Sequence, residues 1–222
     1  MLTMNDSVSK LSSMGKVRRL QIGEALPFAR EQTSAINKYK VDSVEVINTG
    51  FVGDEQADQF FHGGHIQAVH QMPIEVYQLI KDNFPAVIIY EGMLGENIII
   101  GDMKESSVCI GDIYQVGSVQ MQITRPRRPC WKIDSLLNKS GVAKFLQDHK
   151  CIGWYYKILK TGVINHNDEC FLIERLYPFA NLDRLWDIYN DKSFKDPVEI
   201  EKWLQIEPLE RSFKEILKKR LI

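Results

Sequence analysis

Short runs with an alternating pattern, separated by turn residues, fill the first three quarters of the chain. Val119, Met121 and Ile123 share one face of a run whose other face carries Gln120 and Gln122, the period of a half-buried strand. The preceding run, Ile113-Tyr114-Gln115-Val116, is divided from it by Gly117-Ser118. That pair predicts a two-residue hairpin turn of type II′, with Gly supplying the positive φ. Val17, Leu20 and Ile22 open an earlier strand, and Val44, Val46 and Ile47 mark another. Further strands are expected over 66–71, 98–100, 154–159 and 170–173. Pro73 at a first helical turn, with Ile74, Tyr77, Leu79 and Ile80 behind it, predicts a helix that ends before Pro85. A shorter helix is expected over 141–149. Many short strands with two inserted helices predict a mainly β fold, a barrel.

The texture changes after about residue 176. Asn181 caps a predicted helix through Tyr189, Pro197 begins one through Ile206, and Pro208 a third through Leu221. The chain is thus expected to divide into a disordered tail (1–14), a β-barrel domain (15–175) and a small three-helix domain (176–222). A three-helix unit raises the question of DNA binding. Residues 176–222 carry nine Lys+Arg and nine Asp+Glu, so the electrostatic footprint is missing. Lys218-Lys219-Arg220 is what a helix dipole favours at a C-terminus.

Composition narrows the function classes. At 222 residues the chain is long enough to fold around a core without disulfides. A formal charge of -1 argues against a nucleic-acid or anionic-membrane partner, so any anion site has to be local. The first sixteen residues are polar and hold no apolar core of a secretory signal. No run approaches the ~18 apolar residues of a membrane span. Cys109, Cys130, Cys151 and Cys170 are scattered without a C-x-x-C pair, as reduced cytoplasmic thiols are.

Three loops concentrate chemistry. In Arg125-Pro126-Arg127-Arg128-Pro129-Cys130-Trp131-Lys132, four cations surround one thiol. Nearby positive charge favours thiolate, which is both nucleophile and soft metal ligand. The two prolines stiffen its presentation. A buried, inert cysteine amid solvated arginines is the structural alternative; the charge density favours a functional thiol. The second loop runs from Gly53-Asp54-Glu55-Gln56-Ala57-Asp58 to His62-Gly63-Gly64-His65. His62, His65 and His70 match no recognised zinc spacing, and a polar network is the preferred reading. The third, Gly95-Glu96-Asn97, reads as a turn when taken alone. Gly153-Trp154-Tyr155-Tyr156 offers aromatic surface for a flat ligand or for the core. P-loop, G-x-G-x-x-G, H-E-x-x-H and G-x-S-x-G motifs are absent from the sequence.

These blocks, with Ala68-Val69-His70 and Cys109-Ile110-Gly111-Asp112, resemble in order a MOSC domain of the YiiM-like branch, and the C-terminal helices resemble the three-helix domain that follows it. The resemblance implies a β-barrel with a site for the molybdenum cofactor (molybdopterin), a pterin-dithiolene with a terminal phosphate. It implies a molybdenum-dependent oxidoreductase that reduces N-hydroxylated purines or similar compounds, with a separate reductase as electron donor. On this pattern Cys130 is the metal ligand, and Cys130, His62 and Asp54 are the catalytic set. Arg127, Arg128, Lys132, Gly63, Gly64, Glu96 and Asn97 are the cofactor-binding set. The chain departs from the family pattern at Gln67, where a Lys is usual, and at Val76, where a His is usual. Two rival readings are a sulfur carrier holding a Cys130 persulfide and a non-catalytic scaffold.

Overall fold

The computed structural model describes residues 12–57 and 63–221. Thirteen strands lie among them. The first eight are β1 (Ser13–Ile22), β2 (Leu26–Pro27), β3 (Thr33–Ser34), β4 (Tyr39–Val41), β5 (Ser43–Ile47), β6 (Gly50–Phe51), β7 (Val69–Gln71) and β8 (Ile98–Ile100). The rest are β9 (Ile113–Val116), β10 (Val119–Pro126), β11 (Trp154–Lys160), β12 (Gly162–Asn165) and β13 (Glu169–Glu174). Helices are α1 (Val76–Asn83), α2 (Trp131–Leu136), α3 (Val142–Asp148), α4 (Leu182–Asn190), α5 (Pro197–Leu204) and α6 (Arg211–Lys218).

Seven strands close a barrel in the order β13-β9-β10-β11-β7-β8-β1, with β1 returning to β13. Closure leaves the ring no free edge, which is how a small all-β core protects its backbone hydrogen bonds. Neighbours are antiparallel except β7 and β8, which meet in parallel at Gln71 and Ile98. β4 adds to β1 outside the ring, β12-β5-β6 form a small separate sheet, and β2-β3 a short ribbon.

The expected hairpin is present: Val116 pairs with Val119 across Gly117-Ser118. Of the two turn residues only Gly117 has positive φ, +54°, which is the type II′ pattern. β10 is more buried than its alternation predicts. Gln122 lies inside and donates to the Gly111 carbonyl at 3.0 Å. The chain entering α6 runs along β10, with the Glu210 amide donating to the Thr124 carbonyl at 3.1 Å.

Several boundaries differ from expectation. β1 begins at Ser13, inside the segment read as tail; residues 1–11 lie outside the described residues. The third C-terminal helix starts at Arg211 rather than Pro208, because Glu210 caps it by accepting from the Ser212 amide at 3.0 Å. Asn181 caps α4 as expected, accepting from the Asp183 amide at 2.9 Å, and Asp196 caps α5 just before Pro197. Helix α2 is an addition: six residues are too few to display a helical period.

One buried cluster runs from the barrel (Leu20, Met121, Trp154) into the C-terminal helices (Leu185, Trp203, Phe213). A second, with Ile36, Met72, Ile80, Leu94, Ile133 and Leu146, unites α1, α2 and α3. No helix among the described residues is long and apolar enough to cross a membrane.

Candidate functional site

The stiff segment after β10 delivers its thiol to a cleft. The Arg127 amide donates to the Gly153 carbonyl at 2.9 Å, and the Pro129 carbonyl accepts from the Gln147 side chain at 2.8 Å. Cys130 follows in extended conformation and is half-buried, with α2 starting at the next residue. Trp131 anchors this junction, with the Arg30 guanidinium 4.2 Å over its ring and Phe28 6.2 Å away. Lys132, largely buried, donates to the Thr33 carbonyl at 3.4 Å and so ties α2 to the β2-β3 ribbon.

Opposite the thiol the cleft has a polar floor. Asp54 accepts from the Gly23 amide at 2.8 Å and from the Asn97 side chain at 2.8 Å, and it forms an ion pair with Lys38. The Lys38 and Asp54 side chains are only 6% and 7% exposed. A buried pair of this kind is held by geometry and extra hydrogen bonds, since desolvation opposes it. The Asn97 side-chain oxygen accepts from the His70 amide at 3.1 Å, and the imidazole Nδ1 lies 3.2 Å from the Gly95 carbonyl. Gly95 has φ +79°, and a Cβ there would meet Ile36 at 2.9 Å; only glycine fits that turn. The Tyr155 ring packs 4.9 Å from His70 and gives the cleft a flat aromatic wall.

The cleft therefore joins Cys130, Arg127, Arg128, Lys132, Asp54 and Asn97, which the sequence singled out, with Lys38, His70, Gln67 and Tyr155. Four cationic side chains face the carboxylates of Asp54 and Glu55, a local positive excess in a chain whose formal charge is -1.

Other expected site residues lie elsewhere. The Glu96 carboxyl is fully buried, accepting from the Tyr77 hydroxyl and from the Leu94 amide at 3.1 Å. Burial raises its pKa above the ordinary carboxylate value, against its backbone hydrogen bonds and the charge of Arg127. Held by these partners, the Glu96 carboxyl points inward, while Gly95 and Asn97 on either side of it line the cleft. Gly63 and Gly64 sit beside it; the Gly64 amide donates to Gln56 at 2.9 Å. His62 lies outside the described residues. His65 contacts the Asn48 carbonyl at 3.3 Å on an exposed surface, apart from His70. Among the described residues no three His, Cys, Asp or Glu side chains are grouped to hold a metal ion.

Sequence reasoning named His70 and Tyr155 in their motifs without selecting them, and it missed Lys38. Nothing local marks Lys38: it comes from the segment before β4 and meets Asp54 only through the fold.

The MOSC domain family matches residues 58–170. A protein named "Reductase" from Gibberella moniliformis is 39% identical over 152 residues, covering 67% of this chain and 27% of its own length. The chain thus spans about a quarter of that relative. Protein YiiM of Escherichia coli is 31% identical over 157 residues, 69% of this chain and 70% of YiiM. Among solved structures, one described as a hypothetical protein superposes with a TM-score of 0.81 at 25% identity, over 96% of this chain and 91% of that one. YiiM from Geobacillus stearothermophilus gives a TM-score of 0.79 at 23% identity, over 93% and 99%, a likeness of fold.

Proposed function

This chain belongs to the MOSC domain family, and we propose that its cleft binds the molybdenum cofactor at Cys130 and reduces N-hydroxylated bases or related N-oxygenated compounds. The family is associated with that cofactor. The donor set fits such a group: one half-buried thiol as a soft ligand, and Lys38, Arg127, Arg128 and Lys132 around a cleft suited to an anionic phosphate. That coincidence of a thiol with four cations carries the reading.

When bound, the cofactor supplies a metal centre able to pass two electrons. The overall change is R–NH–OH + 2 e⁻ + 2 H⁺ → R–NH₂ + H₂O, with N–O cleaved and the amine formed. A separate reductase protein donates the electrons. Within the chain, Arg127, Arg128 and Lys132 hold the anionic part of the ligand. Asp54 fixes Lys38 and Asn97 at the floor, Cys130 would hold the metal, and the Tyr155–His70 wall offers a flat face to a planar base. Glu96 fixes the backbone next to Asn97 by accepting from the Tyr77 hydroxyl and the Leu94 amide. His62, Gly63 and Gly64 complete the proposed set. With four free thiols the chain suits a reducing cytoplasm.

The reaction is tested with 6-hydroxylaminopurine, a chemical reductant and cofactor-loaded protein, following adenine by chromatography. Adenine formation that is lost in Cys130→Ser supports the reading. Loaded protein that leaves the substrate intact contradicts it.

A further inference from the structure

The C-terminal helices reach the cleft through two arginines. Phe213 on α6 is buried, and its ring lies under the Arg125 guanidinium at 5.2 Å and under that of Arg128 at 6.0 Å. Arg125 also lies over the Tyr155 ring at 5.9 Å, and it pairs with Glu210 at 3.5 Å. Burial pulls Arg125 below the ordinary guanidinium pKa, and Glu210 opposes that shift. Its charge is thus answered from the C-terminal side. Arg128 is different: it is exposed, lines the cleft, and makes no hydrogen bond or ion pair among the described residues.

A guanidinium packed over an aromatic ring keeps its five N–H groups at its rim. Such packing fixes the direction of the fork while leaving the donors open to an anion. Glu210 meanwhile compensates the second cation on the same ring, so two like charges can share it.

We propose that Phe213 is a positioning residue of the cleft, aiming the Arg128 guanidinium at an anionic group bound beside Cys130, so that the last helix completes an anion site begun on the barrel. This rests on reading the cleft as an anion site, and it does not depend on which metal the thiol holds.

The test uses the full chain without cofactor and inorganic phosphate as the probe, titrated by calorimetry at low ionic strength. Arg128→Gln should weaken phosphate binding roughly fivefold, the upper scale of a solvent-exposed ion pair. In the Phe213→Leu background the same change should cost under roughly twofold, because the fork is no longer aimed. Lys132→Gln should keep its full penalty in both backgrounds, which a general loosening of the cleft would not allow. Phe213→Met, another ring-free side chain of similar bulk, replaces Phe213→Leu if the latter fails to melt cooperatively. Equal penalties for Arg128→Gln in both backgrounds overturn the proposal, as does a parent protein that binds no phosphate saturably. Coupling seen in a protein that takes up no molybdenum would remove the cofactor reading and leave the positioning role standing.

Discussion

Asp54 and Asn97 meet at 2.8 Å although 43 residues separate them, and through this contact the cleft floor is knitted to the barrel. Asn97 spends its amide on Asp54 and on the Gln21 carbonyl, and its oxygen on the His70 backbone. Asn97→Ala strands buried partners on three segments, at about 1 kcal/mol or more each. A loss of about 3 kcal/mol in urea unfolding is expected, with an unchanged slope. A loss under about 1 kcal/mol would mean that the floor stands without it.

A pH dependence follows from Glu105. Its Oε1 accepts from the Ile152 and Gly153 amides, both at 2.8 Å. Burial, outweighing those bonds, raises its pKa from an ordinary 4.5 to about 7. Between those values the folded state holds a proton that the unfolded chain has released, so stability falls as pH rises through that window and levels above it. Glu105→Gln keeps an acceptor oxygen for both amides and cannot ionise. The parent's melting temperature should therefore decline more steeply from pH 5 to pH 7.5 than the variant's. Parallel profiles would show that Glu105 does not titrate there.

The cysteines should separate by reactivity. Burial raises the thiol pKa of Cys109 to about 11, of Cys151 to about 12 and of Cys170 further still, so all three stay thiols near neutrality. Cys130 stands half-buried in a cationic cleft. Limited iodoacetamide at pH 7.5, mapped by mass spectrometry, should label Cys130 first and leave the other three largely unmodified. Preferential labelling of Cys151, the other half-buried thiol, would contradict this.

What could be read from the chain follows physical range. The Gly117-Ser118 hairpin was legible because period and turn chemistry are local. So was the Cys130 loop, where the charges are neighbours in sequence. Glu96 entered the expected site with its family block, and the turn at Gly95 with the Tyr77 and Leu94 hydrogen bonds directs its carboxyl inward. Pro208 misdirected the start of the last helix because Glu210, two residues later, supplies the cap. Lys38, and the reach of Phe213 to Arg128, depend on segments brought together only by the closed barrel and its helices.

The most direct test of the central claim is molybdenum per chain, with the pterin assayed in parallel. The protein would come from a cofactor-producing host, as parent and as Cys130→Ser. Near-stoichiometric metal and pterin in the parent, with the metal lost from the variant, is the predicted result. A parent that carries neither, even after reconstitution, would contradict the assignment of this cleft to the cofactor.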